Sequence, residues 1–129
     1  MKIRSPRYHR EVPQRYRLEA AKTADGKIFF PPRAVYPGGQ TAEPIKLATA
    51  GKVLTYTIVH TAPGPYSDLS PYGVAIVEMD DGARLMAMIA DVEDMSVIKI
   101  GLRVRVEFRR MRTEGEEGLL CYGYKVVPE

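Results

Sequence analysis

From Gly51 to the C-terminus, strand-like runs, the first of them rich in β-branched and aromatic residues, come five times with turn residues between them. This rhythm is what most restricts the architecture. Lys52–His60, Tyr72–Met79, Arg84–Ala90, Leu102–Met111 and Leu119–Val127 each read as a strand. The alternation is cleanest in the fourth run. There Leu102, Val104, Val106 and Phe108 fall on one face, and Arg103, Arg105, Glu107 and Arg109 on the other. Asp80-Asp81-Gly82 turns the second run into the third. The connection from Thr61 to Pro71 holds three prolines and is long for a hairpin. Asp91–Val97 is short and acidic and reads as a single helical turn, and Thr113–Gly118 reads as a polar turn.

Five strands with a helical turn between the third and fourth is the order of an OB-fold, a small closed barrel filled by its own side chains. An SH3-like barrel has the same strand count, and the helical turn favours the OB arrangement. The segment ahead of Gly51 has a different grammar. Tyr8 to Ala21 reads as a helix: Gln14–Ala21 holds good helix formers and no glycine, and Pro13 suits a first turn. Val12, Tyr16 and Leu18 are too few for a self-sufficient apolar face, so this helix must lean on the barrel or on a partner. Asp25-Gly26 marks a hairpin turn, Pro31-Pro32 forces an extended path, Tyr36-Pro37-Gly38-Gly39 is another turn, and residues 40–50 read as a connector.

The net charge of +3 is unevenly spread. Residues 1–33 hold nine Lys/Arg against three Asp/Glu, a net +6, and residues 34–129 hold ten against thirteen, a net −3. A basic arm suits nucleic acid, an acidic protein face or a phosphorylated ligand, and charge alone does not choose. The apolar runs are short for a membrane span, the start shows no secretory signal, and the single cysteine excludes a disulfide framework, so the expected location is cytoplasmic.

Conventional enzyme chemistry finds little support. Cys121 sits mid-strand, where a buried inert thiol is the expected role, and His9 and His60 are not spaced to serve it as a base. Asp80/Asp81 and Asp91/Glu93/Asp94 occupy positions that turns and helix starts favour on their own. One cysteine and two distant histidines cannot make a tetrahedral structural zinc site. A single-strand nucleic-acid site is the alternative function. It would use Arg103, Arg105, Arg109, Arg110 and Arg112 with Tyr56, Tyr72, Tyr122 and Tyr124, although Glu107 interrupts the arginine face and the barrel segment is net negative.

Several stretches resemble the acyl-CoA-associated OB-fold family, whose members carry a rubredoxin-like zinc ribbon ahead of the barrel. They are Tyr16-Arg17-Leu18-Glu19, Gly26-Lys27-Ile28-Phe29-Phe30-Pro31-Pro32-Arg33, Gly51-Lys52-Val53-Leu54-Thr55-Tyr56-Thr57, Ala62-Pro63, Pro71-Tyr72, Ala75-Ile76-Val77-Glu78 and Lys99-Ile100-Gly101. The Phe-Pro-Pro-Arg block is the most specific of these. The ending Tyr122-Gly123-Tyr124-Lys125 resembles the archaeal members that accompany acetoacetyl-CoA thiolase and HMG-CoA synthase.

The resemblance implies a mostly β chain: an arm and helix over 1–21, a degenerate ribbon over 22–45 and an OB barrel over 46–129. The family pattern places Cys-x-x-Cys pairs at positions held here by Lys22, Asp25, Tyr36 and Gly39, so the ribbon is expected to be metal-free, held by Phe, Pro and Tyr packing or by a partner. The implied role is a non-catalytic scaffold joining thiolase to synthase early in the mevalonate route and helping form a shared cleft for the CoA carrier. Tyr16, Arg17, Phe29, Phe30, Pro31, Pro32 and Arg33 are the expected partner contacts. For CoA, Lys27 and Arg33 suit phosphates, and Tyr66, Tyr72 and Tyr124 suit the adenine or pantetheine path.

Overall fold

The computed structural model describes residues 5–113 and 120–129. Two six-residue helices, α1 (Ser5–Arg10) and α2 (Val12–Arg17), lead into a three-stranded sheet of β1 (Glu19–Thr23), β2 (Ile28–Phe29) and β3 (Ala42–Lys46), in the order β2-β1-β3. A closed barrel follows. Its strands are β4 (Ala50–Val59), β5 (Tyr72–Met79), β6 (Arg84–Ile89), β7 (Arg103–Thr113) and β8 (Leu120–Pro128), in the order β4-β5-β6-β8-β7. A short 3-10 turn at Met95–Val97, capped by the Asp94 carboxylate accepting from Ser96 N–H, sits between the third and fourth barrel strands. The OB-fold expectation is met in strand order and in the position of this turn. The polar turn expected at Thr113–Gly118 lies outside the described residues beyond its first position.

The N-terminal helix is shorter than its sequence suggests. Leu18 takes a left-handed conformation (φ 51°) and ends α2. Glu19, Ala20 and Ala21, good helix formers, instead pair antiparallel with residues 44–46. Tertiary pairing overrides propensity here because Leu18, Ala20 and Leu47 enter the same buried cluster as the barrel's Val53, Val77 and Val104. The connector expected over 40–50 accordingly contains β3, whose Pro44 is tolerated because β3 is an edge strand.

Inside the barrel, inward parity on successive strands stacks Val53 opposite Val77 and Val77 opposite Leu85, with Ala75 opposite Ala87. Val104 and Val126 are fully buried. Gly51 is required where β4 crosses β5, since a Cβ there would lie 2.4 Å from the Glu78 carbonyl oxygen. Phe108 departs from the expected inner row. Val104 is buried and Val106 half-buried, but Phe108 is 51% exposed. It lies past the closed part of the barrel, two residues before a register shift in β7, and its ring turns to Tyr16 and Tyr122 instead.

Candidate functional site

The barrel's closure is weakest between β6 and β8, which pair in parallel at a single register position, Ile89 with Val126. Above that point the two strands separate, and a cleft of about 380 Å³ opens there. One wall is the outer face of β5 and β6, where Val74 opposes Met88 and Tyr72 stands beside them. The opposite wall is Tyr124 and Gly123 of β8 with Met111 of β7. Phe30 and Pro31, leaving β2, close one side, and Tyr66, from the 3-10 turn at Gly64–Leu69, closes another.

Gly123 explains how the roof is set. A Cβ at this position would sit 3.0 Å from Arg15 Cγ, so the missing side chain lets α2 lie directly on β8. Arg15 of that helix and Glu11, the residue just before it, form an ion pair at 3.7 Å and both line the cleft. Aromatic pairs fix the walls: Phe30 meets Tyr124 edge-on at 5.8 Å, and Tyr66 lies tilted against Tyr72 at 6.4 Å. Burial raises the Tyr124 phenol above its ordinary value, so it remains a neutral hydrogen-bond donor. The cleft is thus tyrosine- and methionine-lined, with its two charged groups paired to each other.

The structure brings Phe30, Pro31, Tyr66, Tyr72 and Tyr124 together in this one place. It does not bring Lys27 or Arg33 there. Lys27 is exposed in the β1–β2 hairpin, and the Arg33 guanidinium lies over the Phe29 ring at 4.7 Å. Pro32 is exposed. Tyr16 and Arg17 belong to a second, shallow groove with Leu18, Thr49, Val106 and Phe108. At its edge Tyr16, Phe108 and Tyr122 form a short aromatic ladder, with ring centroids 4.9 Å and 5.5 Å apart. Sequence reasoning missed Phe108 as a surface residue, and Met86, Met88 and Met111 altogether. One signal was present: β6 is apolar on both parities, Leu85, Ala87 and Ile89 inward and Met86 and Met88 outward, which marks an outer face meant to be covered.

The arginine face is largely spent on carboxylates. Arg103 donates to both oxygens of Asp80 at 2.8 Å and 3.2 Å, Arg105 to Glu107 at 2.9 Å, and Arg109 to Asp91 at 2.8 Å. Arg103 correspondingly holds Asp80 below the usual carboxylate range. These pairs reduce the charge a nucleic-acid backbone would meet. Arg110 is exposed, and the side chains of Arg112 and Cys121 lie outside the described residues. His9 and His60 are exposed.

The four positions matching the family's zinc ligands do not suit a metal. Lys22 is cationic and Gly39 has no side chain. The Tyr36 hydroxyl accepts from Arg33 N–H at 3.0 Å. The Asp25 carboxylate accepts from the Thr23 hydroxyl and from Lys27 N–H. A structural zinc needs four converging donors, and these residues offer one carboxylate already engaged. Among the described residues no group of three His, Cys, Asp or Glu side chains converges elsewhere. No helix among them is long and apolar enough to cross a membrane.

Residues 45–109 match the family model described as the ChsH2 C-terminal OB-fold domain. A DUF35 domain-containing scaffold protein of Methanothermobacter thermautotrophicus is 37% identical, covering 100% of this chain and 99% of its own. Relatives given the same description in Methanocaldococcus jannaschii and Pyrococcus furiosus are 37% and 36% identical over 92% and 95% of this chain, and 86% and 90% of theirs. A solved chain from the Ltp2-ChsH2(DUF35) aldolase superposes with a TM-score of 0.69 over 99% of this chain and 96% of that one, at 23% identity, which supports the fold. Similarity of this strength over the full length, on a barrel of matching topology, means that the chain belongs to the DUF35 family of OB-fold scaffold proteins.

Proposed function

We propose that this chain is a non-catalytic scaffold that holds acetoacetyl-CoA thiolase and HMG-CoA synthase together, with its cleft forming part of a shared path for the acyl-CoA carrier. Joining the two enzymes matters chemically because the first condensation is uphill, and direct passage of its product to the second step keeps it moving. The observation that carries the reading is the cleft itself: five residues expected from sequence to meet a partner or CoA converge on one apolar, tyrosine-edged cavity. A cavity of about 380 Å³ is in the size range of small-molecule sites. It suits a narrow arm with amide groups, such as pantetheine, with tyrosine hydroxyls as donors. Phosphates would lie outside it, with Lys27 and Arg33 on the small sheet as their candidates.

Partner docking falls to the exposed aromatic ladder of Tyr16 and Phe108, with Arg17 beside it, and to the Phe29-Phe30-Pro31-Pro32-Arg33 corner. Tyr, Phe and Arg are enriched at interfaces: the aromatic rings bury a large apolar area, and Arg adds a forked set of donors. That relatives matched along the whole chain are described as scaffold proteins supports the role, and the thiolase–synthase pairing is what the proposal adds.

The test is affinity capture of the tagged chain from lysate of its native host, with retained proteins identified by mass spectrometry. Thiolase and synthase retained together in near-stoichiometric amounts is the expected result. Retention of neither, with single-stranded oligonucleotide binding that weakens steeply as salt rises, would replace this reading with nucleic-acid binding.

A further inference from the structure

The three-stranded sheet ahead of the barrel stands where the family resemblance implies a zinc ribbon, yet its residues cannot hold a metal, so something else must close its two turns. The first turn is tied by Asp25. It accepts from the Thr23 hydroxyl and, at 3.3 Å, from Lys27 N–H, while Thr23 N–H donates to the Lys27 carbonyl at 2.9 Å and Gly26 N–H to the Thr23 carbonyl at 2.9 Å. This is an Asx-type turn, in which a carboxylate takes over backbone donors. The second turn is tied by Tyr36. Its hydroxyl accepts from Arg33 N–H, its carbonyl accepts from Gly39 N–H at 3.2 Å, and its ring meets Phe29 edge-on at 5.2 Å. The Arg33 guanidinium also lies over the Phe29 ring, 4.7 Å from its centroid, so Tyr36 and Arg33 both pack on that ring. Gln40 donates to the Pro37 carbonyl at 3.0 Å and also lies near enough to Asp25 to favour its ionised form, so it links the second turn to the first.

We infer that this ribbon is a zinc-independent one, in which the Thr23–Asp25–Lys27 turn and the packing of Arg33 and Tyr36 on Phe29 hold the two turns in place of a metal. The sheet then draws the rest of its stability from the barrel. Thr23 and Ala21 are buried, Leu18 and Ala20 join the barrel's core, and Leu47 N–H donates to the Leu18 carbonyl at 3.1 Å at the junction. A ribbon that folds around zinc melts when the metal is chelated. This one melts with the barrel, in a single step, whatever the metal supply. The inference concerns the ribbon alone and survives even where the scaffold reading of the cleft fails.

The experiment uses the purified full chain. Zinc content is measured by elemental analysis, and thermal melts are run with excess zinc and with a strong chelator. The expected result is less than about 0.1 zinc per chain and a single transition at the same temperature, within about 1 °C, in both conditions. Near-stoichiometric zinc, or a transition lowered by chelator, would overturn the inference. Two variants test the replacement directly. Asp25→Ala and Tyr36→Ala should each lower the melting temperature by about 3–5 °C, equally with and without zinc. Unchanged melting in both would show that neither residue holds the turns, and would equally overturn it.

Discussion

At the scale of single residues, Lys125 is the most informative polar group. It is buried on β8, and its ammonium is pushed below its ordinary value of 10.5, first by burial and then by the neighbouring Arg109 and Arg110, with Asp91 opposing. Between the folded value and 10.5 the unfolded chain binds more protons than the folded one, so Lys125 makes stability rise with pH across that window. Below the folded value the buried charge is a standing cost. Lys125→Met should therefore raise the melting temperature at neutral pH by about 3–5 °C, the shift that about 1 kcal/mol produces in a domain of this size. The gap between variant and parent should narrow toward pH 10. Calorimetry of the pair at both pH values checks this, and a variant less stable at pH 7 would mean that the lysine stem, not its charge, dominates.

Residue-level signals also explain what was readable in advance. Asp80-Asp81-Gly82 does turn β5 into β6, with the Asp81 carboxylate accepting from Ala83 N–H at 3.1 Å and from Ala48 N–H at 2.9 Å. The second bond, across to the segment before β4, is long-range and has no local sequence signature. Tyr66, Tyr72 and Tyr124 could be named as a set from chemistry, but their convergence depends on how far β6 and β8 part, which no window of sequence encodes.

At the scale of elements, apolar runs bounded by turn residues made all five barrel strands legible to within a residue or two, with clean period-2 alternation in β7. The failures each trace to tertiary context. Glu19–Thr23 has helix-forming composition and is a strand, because β3 and the barrel core offer it partners. β3 itself carries Pro44 and two charges and shows no alternation, since an edge strand needs little. Phe108 continues the apolar parity of β7 past the closed barrel, and so lands on the surface. That position makes a test. Phe108→Ala should weaken capture of the partner enzymes about tenfold or more, since aromatic anchors carry interface energy. It should cost folding at most about 1 kcal/mol, because the ring is half exposed and loses only its contacts with Tyr16 and Tyr122. Binding measured by interferometry beside a thermal melt separates the two effects. Full capture with a lowered melting point would assign Phe108 to packing alone.

At the scale of the whole molecule, the proposed bridging role asks a chain of 129 residues to present two separate surfaces. The shallow groove under Tyr16 and Phe108 and the cleft above Tyr124 are separate surfaces that share α2: Tyr16 and Arg17 face the first, Gln14 and Arg15 line the second. A rigid barrel beneath them fixes their relative position, which is what a bridge between two enzymes requires. The most direct test of that claim is light scattering on gel-filtered mixtures of purified thiolase, HMG-CoA synthase and this chain. The account predicts that the two enzymes elute apart when mixed alone and as one larger species, containing all three chains, when this protein is added. Two enzymes that associate without it, or that stay apart in its presence, would contradict the account.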